Sequence, residues 1–128
     1  MEIWLLGNPD LENDSLPFKI ENNLANKFSG ITFRKIDHLP LTEKLPDPVL
    51  IIDTVKGIDK VTVFNNLNQF SPAHRLTTHD FDVFSELKLL EKIKKLPRLI
   101  IIGLPDTGIS LLNLEKEVSN IISANLPS

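Results

Sequence analysis

Val49-Leu50-Ile51-Ile52-Asp53 is an unbroken apolar run that stops on a carboxylate. A strand with one wet face alternates apolar and polar residues, so a run without alternation fits a strand covered on both faces, at the centre of a sheet. The covering layers must come from the rest of the chain. Strand-like runs at residues 2–6, 31–36, 60–64 and 98–103 interleave with helix-like stretches at 15–28, about 81–95 and 111–126. Such interleaving implies an α/β fold: a three-layer sandwich with a five-stranded mixed, mostly parallel sheet and helices on both faces.

Local signals refine that outline. Leu16, Ile20, Leu24 and Phe28 recur at four-residue spacing and form the buried stripe of the first helix, with Pro17 in its first turn, Ser15 or Asp14 as cap, and Ser29-Gly30 at its close. Pro40, Pro46 and Pro48 keep the crossover of residues 37–48 irregular. Only a handful of residues separate Asp53 from the run at 60–64. A parallel crossover needs about a dozen or more, so the fourth strand is expected to run antiparallel. Residues 65–75 are polar and contain Pro72, which suggests a loop. Thr78 is placed to cap the helix that follows, where Leu87, Leu90 and Ile93 form a stripe and Lys92, Lys94 and Lys95 gather at the negative end.

A length of 128 residues, 41% of them hydrophobic, suits one domain over 1–128 with a full core. The formal charge of −3, with no basic cluster, gives no footprint for nucleic acid or an anionic membrane surface. There is no cysteine, which removes disulfides, thiolate metal sites and a cysteine nucleophile together. No apolar run approaches the roughly 20 residues of a membrane span. With no secretory leader either, a cytoplasmic protein, monomeric when free, is expected.

Three groups with hard or borderline ligand atoms fall where successive elements open toward one end of such a sheet. They are Asp14 in the loop after strand one, Asp53 after the central run, and His79 before the second helix. Two carboxylates and an imidazole can bind a divalent metal with positions left open, or the carboxylates can activate water. Spacing does not separate these. Taken singly, Asp14 is also a helix cap, Asp53 a turn former and His79 a residue of a first helical turn. His38 and His74 lie in loops and are read as solvated. Asp106-Thr107-Gly108 spells the aspartic-protease triplet, but one copy in an α/β chain is an ordinary turn. Asp10, Glu12, Asp14 and Glu21 follow calcium-loop spacing, but Ser15 replaces the required glycine and Pro17 follows it. No Gly-x-Ser-x-Gly elbow or Gly-rich phosphate loop occurs.

Gly7-Asn8 with an acid six residues after the Asn, Leu50-Ile51-Ile52-Asp53, Thr77-Thr78-His79 and Ile101-Ile102-Gly103-Leu104-Pro105 occur in one order. Together they resemble the hydrogenase maturation endopeptidases, above all the branch acting on hydrogenase 3 type enzymes. The resemblance spans roughly residues 3 to 105. It implies a cytoplasmic α/β endopeptidase that removes a C-terminal extension from the precursor of a nickel-iron hydrogenase large subunit. It also implies that Asp14, Asp53 and His79 are both the metal-contacting and the catalytic residues. The nickel belongs to the substrate and no cofactor is stored. The family usually has an Asp-Gly-Gly type segment after strand two, where this chain has Ile36-Asp37-His38-Leu39-Pro40, and Asn13 stands where Asp is common. Two other functions fit the same residues: a non-catalytic relative acting as a small α/β binding module, and a metal-dependent hydrolase of small molecules.

Overall fold

The computed structural model describes residues 1–8, 10, 15–40, 43–69, 75–76 and 81–126. The elements run β1 (Glu2–Leu5), α1 (Leu16–Lys27), β2 (Thr32–Lys35), β3 (Val49–Lys56), β4 (Thr62–Phe64), a 3-10 turn (Leu67–Gln69), β5 (Arg75–Leu76), α2 (Phe81–Lys92), β6 (Leu99–Pro105) and α3 (Leu111–Asn125). The sheet order is β2-β1-β3-β6-β4, with β5 paired to β3. β1 is parallel to β2 and β3, and β3 to β6, while β4 runs antiparallel to β6 as its short connection requires.

The apolar run at residue 49 is the third of five strands along this path, and side chains alternate across it. Val49, Ile51 and Val55 join a cluster with Trp4, Leu99 and Ile101 and with Val83, Phe84 and Leu87 of α2. Leu50 and Ile52 join Ile3, Leu5, Ile102 and Leu104, with Ile20 and Leu24 of α1 and Leu114, Val118 and Ile122 of α3. Helix α2 therefore covers one face, and α1 with α3 the other. Asn23 Nδ2 donates to Glu115 Oε1 at 2.8 Å across the α1–α3 seam. No helix of the described residues is long and apolar enough to cross a membrane.

Several expectations change. β3 extends three residues past Asp53, because Thr54 and Val55 pair with Leu104 and Pro105 and because Val55 and Lys56 pair with β5. Asp53 is thus inside the strand rather than at its end. β5 begins at Arg75, the last residue of the expected loop; two residues carry no periodicity, and they pair with the overhanging edge of β3. Helix α1 closes at Phe28, whose N–H donates to Leu24 O at 2.9 Å, without a left-handed glycine at residue 30. The Thr78 cap and His74 lie outside the described residues. His38 is exposed but has a partner, since its Nδ1 lies 3.6 Å from Glu86 Oε1. The same oxygen accepts from the Leu39 backbone N–H at 3.2 Å. With Leu39 buried against α2, this ties the crossover to that helix.

Arg34 of β2 donates to both carboxylate oxygens of Glu43 in the crossover, at 3.1 and 3.3 Å. The hydrogen bond and charge of Arg34 hold the Glu43 carboxyl below its usual range, and both side chains are solvated. Whatever this exposed pair adds is present above the ordinary carboxylate pKa and fades as pH falls.

Helix α2 stops a turn earlier than its stripe suggests, leaving Ile93 51% exposed. Lys95 N–H donates to Leu90 O at 2.8 Å and Lys94 N–H to Glu91 O at 3.1 Å, with Lys94 at φ 59°. This is a Schellman stop with lysine in the left-handed position that suits glycine. Lys94→Gly is expected to relieve roughly 1–2 kcal/mol of left-handed strain. Against that stands about 0.4–1 kcal/mol of added chain entropy in the unfolded state. A rise in melting temperature of about 2–4 °C by calorimetry is expected, with Lys94→Ala unchanged as the control.

Candidate active site at the sheet switch point

β1, β3 and β6 are parallel, so their carboxyl ends open on one side of the molecule. β1 leaves β3 early. Their register runs Trp4 to Ile51 and Leu5 to Ile52, and the last bond is from Leu6 N–H to Ile52 O at 3.1 Å. Gly7, at φ 132°, then turns the chain out of the sheet in a conformation that side chains resist. Asn8 Oδ1 accepts from Asp10 N–H at 2.9 Å, so the loop begins with an Asx turn.

Asp53 is the first residue of β3 beyond β1. On its other side it stands in register with Gly103 of β6. Because β6 occupies that edge as far as Val55, β5 must lie on the edge that β1 has vacated, where it pairs from Val55 onward. Between the two, no strand of the described residues pairs with Asp53 and Thr54 on that edge, which leaves a gap in the described sheet. β1 connects through α1 to β2 on one side and β3 continues toward β6 on the other. The gap is therefore the point where the winding of the sheet reverses, which is where open α/β sheets bind their ligands.

The Asp53 side chain is fully buried and, by alternation with Ile51 and Val55, points to the α2 face. Its Oδ1 accepts from the Thr54 backbone N–H at 2.8 Å. A buried carboxylate at a switch point can accept a proton or ligate a cation in surroundings that strengthen both interactions.

Of the three residues singled out by the sequence, Asp53 is described; Asp14 and His79 lie outside the described residues. The nearest described residues are Asp10 and Ser15 around Asp14, and Leu76 and Phe81 around His79. Ser15, next after Asp14, is buried at the N-cap of α1. His79 falls between Leu76, in register with Val55, and Phe81, where α2 begins. Among the described residues no three His, Asp or Glu side chains come together. The Asp106-Thr107-Gly108 triplet is a bend after β6 with Gly108 at φ 86°, as its turn reading requires. Asp10 is exposed, while Glu12 lies outside the described residues.

Two residues beside Asp53 were given no role of their own by the sequence, which carried Gly103 only as part of a motif. Gly103 leaves space that Phe64, Val55 and Ile58 fill: a Cβ there would stand 2.9 Å from the Phe64 ring and 3.0 Å from Val55. A glycine inside an apolar strand is the signal for such a close approach. Thr54 gave no signal, because threonine is an ordinary strand residue.

By sequence, no family model and no curated protein matches the chain. By structure it is similar to the [NiFe] hydrogenase maturation protease HybD from Thermococcus kodakarensis, with TM-score 0.69 and 20% identity over 97% of this chain and 98% of that one. It is also similar to the hydrogenase maturating endopeptidase HybD from E. coli, with TM-score 0.62 and 13% identity over 97% and 91% of the two chains. Over nearly its whole length, the chain has the fold of these hydrogenase maturation proteases.

Proposed function

We propose that the chain is a hydrogenase-maturation-type endopeptidase that cuts a C-terminal peptide from a nickel-loaded precursor of a hydrogenase large subunit. The observation that carries this reading is Asp53, a fully buried carboxylate at the switch point of the sheet. The shared fold and the ordered motifs around Asp14, Asp53 and His79 support it. In this reading the nickel is part of the substrate. The two carboxylates and the imidazole contact it, which fixes the scissile carbonyl for attack by water, and a carboxylate accepts the proton of that water. One imidazole and two carboxylates without a thiolate hold nickel weakly, which suits transient contact rather than a stored cofactor. The protein then acts in the cytoplasm, as a monomer when free.

Incubating the purified chain with nickel-loaded precursor should give a large subunit shortened at its C-terminus by mass spectrometry, while nickel-free precursor stays intact. Cleavage of neither form would overturn the assignment. Stoichiometric metal in the purified chain would favour a small-molecule metallohydrolase instead.

One observation favours a second reading, a non-catalytic binding module. The segment after β2 has no glycine, and it is tied to α2 through Leu39 and Glu86. That leaves its backbone less open to a peptide than a Gly-Gly segment would be. Tight binding of a precursor that is never cut would support this reading.

A further inference from the structure

Leu112 is 74% exposed, more than any other large hydrophobic side chain among the described residues, and Leu111 beside it is 42% exposed. A single exposed leucine is ordinary. This one is held in an ordered first turn, because Ser110 caps α3 and its Oγ accepts from the Asn113 N–H at 3.2 Å. It also borders a groove of about 430 Å³ between α1 and α3, lined by Asn23, Leu24 and Lys27 on one side and by Leu112, Lys116 and Ser119 on the other. Four-residue spacing sets Asn23 with Lys27 on one flank and Leu112 with Lys116 on the facing one. Leu24 and Ser119, both buried, form the floor, where the short serine side chain leaves the space.

The charges in the groove select its occupant. Glu115 also lines it, but its Oε1 already accepts from Asn23 Nδ2 at 2.8 Å. Lys27 and Lys116 are exposed and make no ion pair among the described residues. An apolar wall with two unpaired ammonium groups fits a peptide that offers an apolar side chain and a carboxylate. Every polypeptide ends in such a carboxylate whatever its sequence, ionised at neutral pH with a pKa of about 3.3–3.7. Because α3 follows β6, its first turn stands at the carboxyl end of the sheet, the end on which Asp53 lies. From Leu112 to Ser119 the helix rises about 10 Å, the length of roughly three extended residues. We propose that the α1–α3 groove docks the C-terminal extension of the precursor, with an apolar side chain against Leu112 and the terminal carboxylate between Lys27 and Lys116. This rests on the endopeptidase reading and gives it a recognition surface for the peptide that is removed. Capture of a free chain end also selects substrates that still carry the extension.

Two measurements on the full-length chain test this. In processing of nickel-loaded precursor, Lys27→Glu, Lys116→Glu and Leu112→Ser should each raise KM about 3–10-fold and leave kcat within about twofold, since docking remote from the chemistry is felt equally before and in the transition state. Lys92→Glu makes the same change of charge on α2, across the sheet, and should leave both constants unaltered. In fluorescence anisotropy, a synthetic peptide of the extension sequence should bind the unaltered chain at least about 5-fold more tightly with a free C-terminal carboxylate than with a C-terminal amide. Lys27→Glu should abolish that difference, because the two changes remove one interaction. Equal binding of acid and amide would overturn the proposal, as would an unchanged KM for both lysine variants. A dimer in solution that Leu112→Ser dissociates would assign the groove to a second copy of the chain and overturn it too. An unaltered chain that cuts no nickel-loaded precursor would remove the endopeptidase reading alone, and the acid and amide peptides would still decide what the groove holds.

Discussion

Asp53→Asn is expected to stop precursor processing while leaving the domain folded. The two halves of this result have separate causes. Asparagine matches aspartate in shape and keeps an oxygen that can accept from the Thr54 N–H, a bond of 2.8 Å in the structure. The local backbone therefore survives, and circular dichroism and the cooperativity of melting should be unaltered. What is lost is the negative charge, and with it both the capacity to take a proton and most of the affinity for a cation. Removing a positioned acid or base costs about 10²–10⁴ in rate, and loss of metal contact adds to it, so turnover should fall by at least about 10³. Asp14→Asn and His79→Ala should cost comparable amounts if the three act as one unit. Combining any two should then add little, because the second change disables a site already disabled. A folded Asp53→Asn variant that processes precursor at near the normal rate would remove Asp53 from the chemistry.

The architecture was legible in the chain because burial leaves a mark at every residue. The unalternating run from Val49 to Ile52 announced a strand with two covers, and the four-residue spacing of Ile20 and Leu24 announced one of those covers. The short link before β4 announced its direction. What stayed hidden were ends and exceptions, where the deciding partner is distant in sequence. The overhang of β3 depends on Pro105 and on a two-residue strand with no pattern of its own. The early stop of α2 depends on a lysine in a conformation that sequence statistics assign to glycine. The surroundings of the candidate residue Asp53 were half legible for a similar reason. A carboxylate ending an apolar run is visible in one dimension, but that β1 leaves the sheet level with Ile52, so that Asp53 faces a gap, is a fact about register. Register also set Gly103 beside Asp53, which no local pattern could announce.

That pairing leads to the largest expected effect on stability. Gly103 lies in β6 opposite Asp53 on one side and Thr62 on the other, in a sheet whose next strand brings Phe64 close. A methyl group added at Gly103 would stand 2.9 Å from the Phe64 ring and 3.0 Å from a Val55 methyl, both nearer than carbon atoms tolerate. Neither neighbour can swing away easily: Phe64 is 3% exposed and Val55 fully buried. Overpacking of this kind costs about 1–3 kcal/mol, so Gly103→Ala is expected near the middle of that range and Gly103→Val at or above its top. Urea denaturation should show the loss as a lower midpoint with an unchanged slope. Shortening the obstacle should recover part of it. Phe64→Leu destabilises the chain when made alone, since it leaves a cavity, but combined with Gly103→Ala it should cost less than the sum of the two, by about 1 kcal/mol of coupling. Simple additivity would show that the methyl group is accommodated elsewhere. A displaced β6 would also move the backbone beside Asp53, so Gly103→Ala should lower kcat even where the protein is fully folded, and relief by Phe64→Leu should restore rate and stability together. Recovery of stability without recovery of rate would separate the packing of β6 from the placement of the carboxylate.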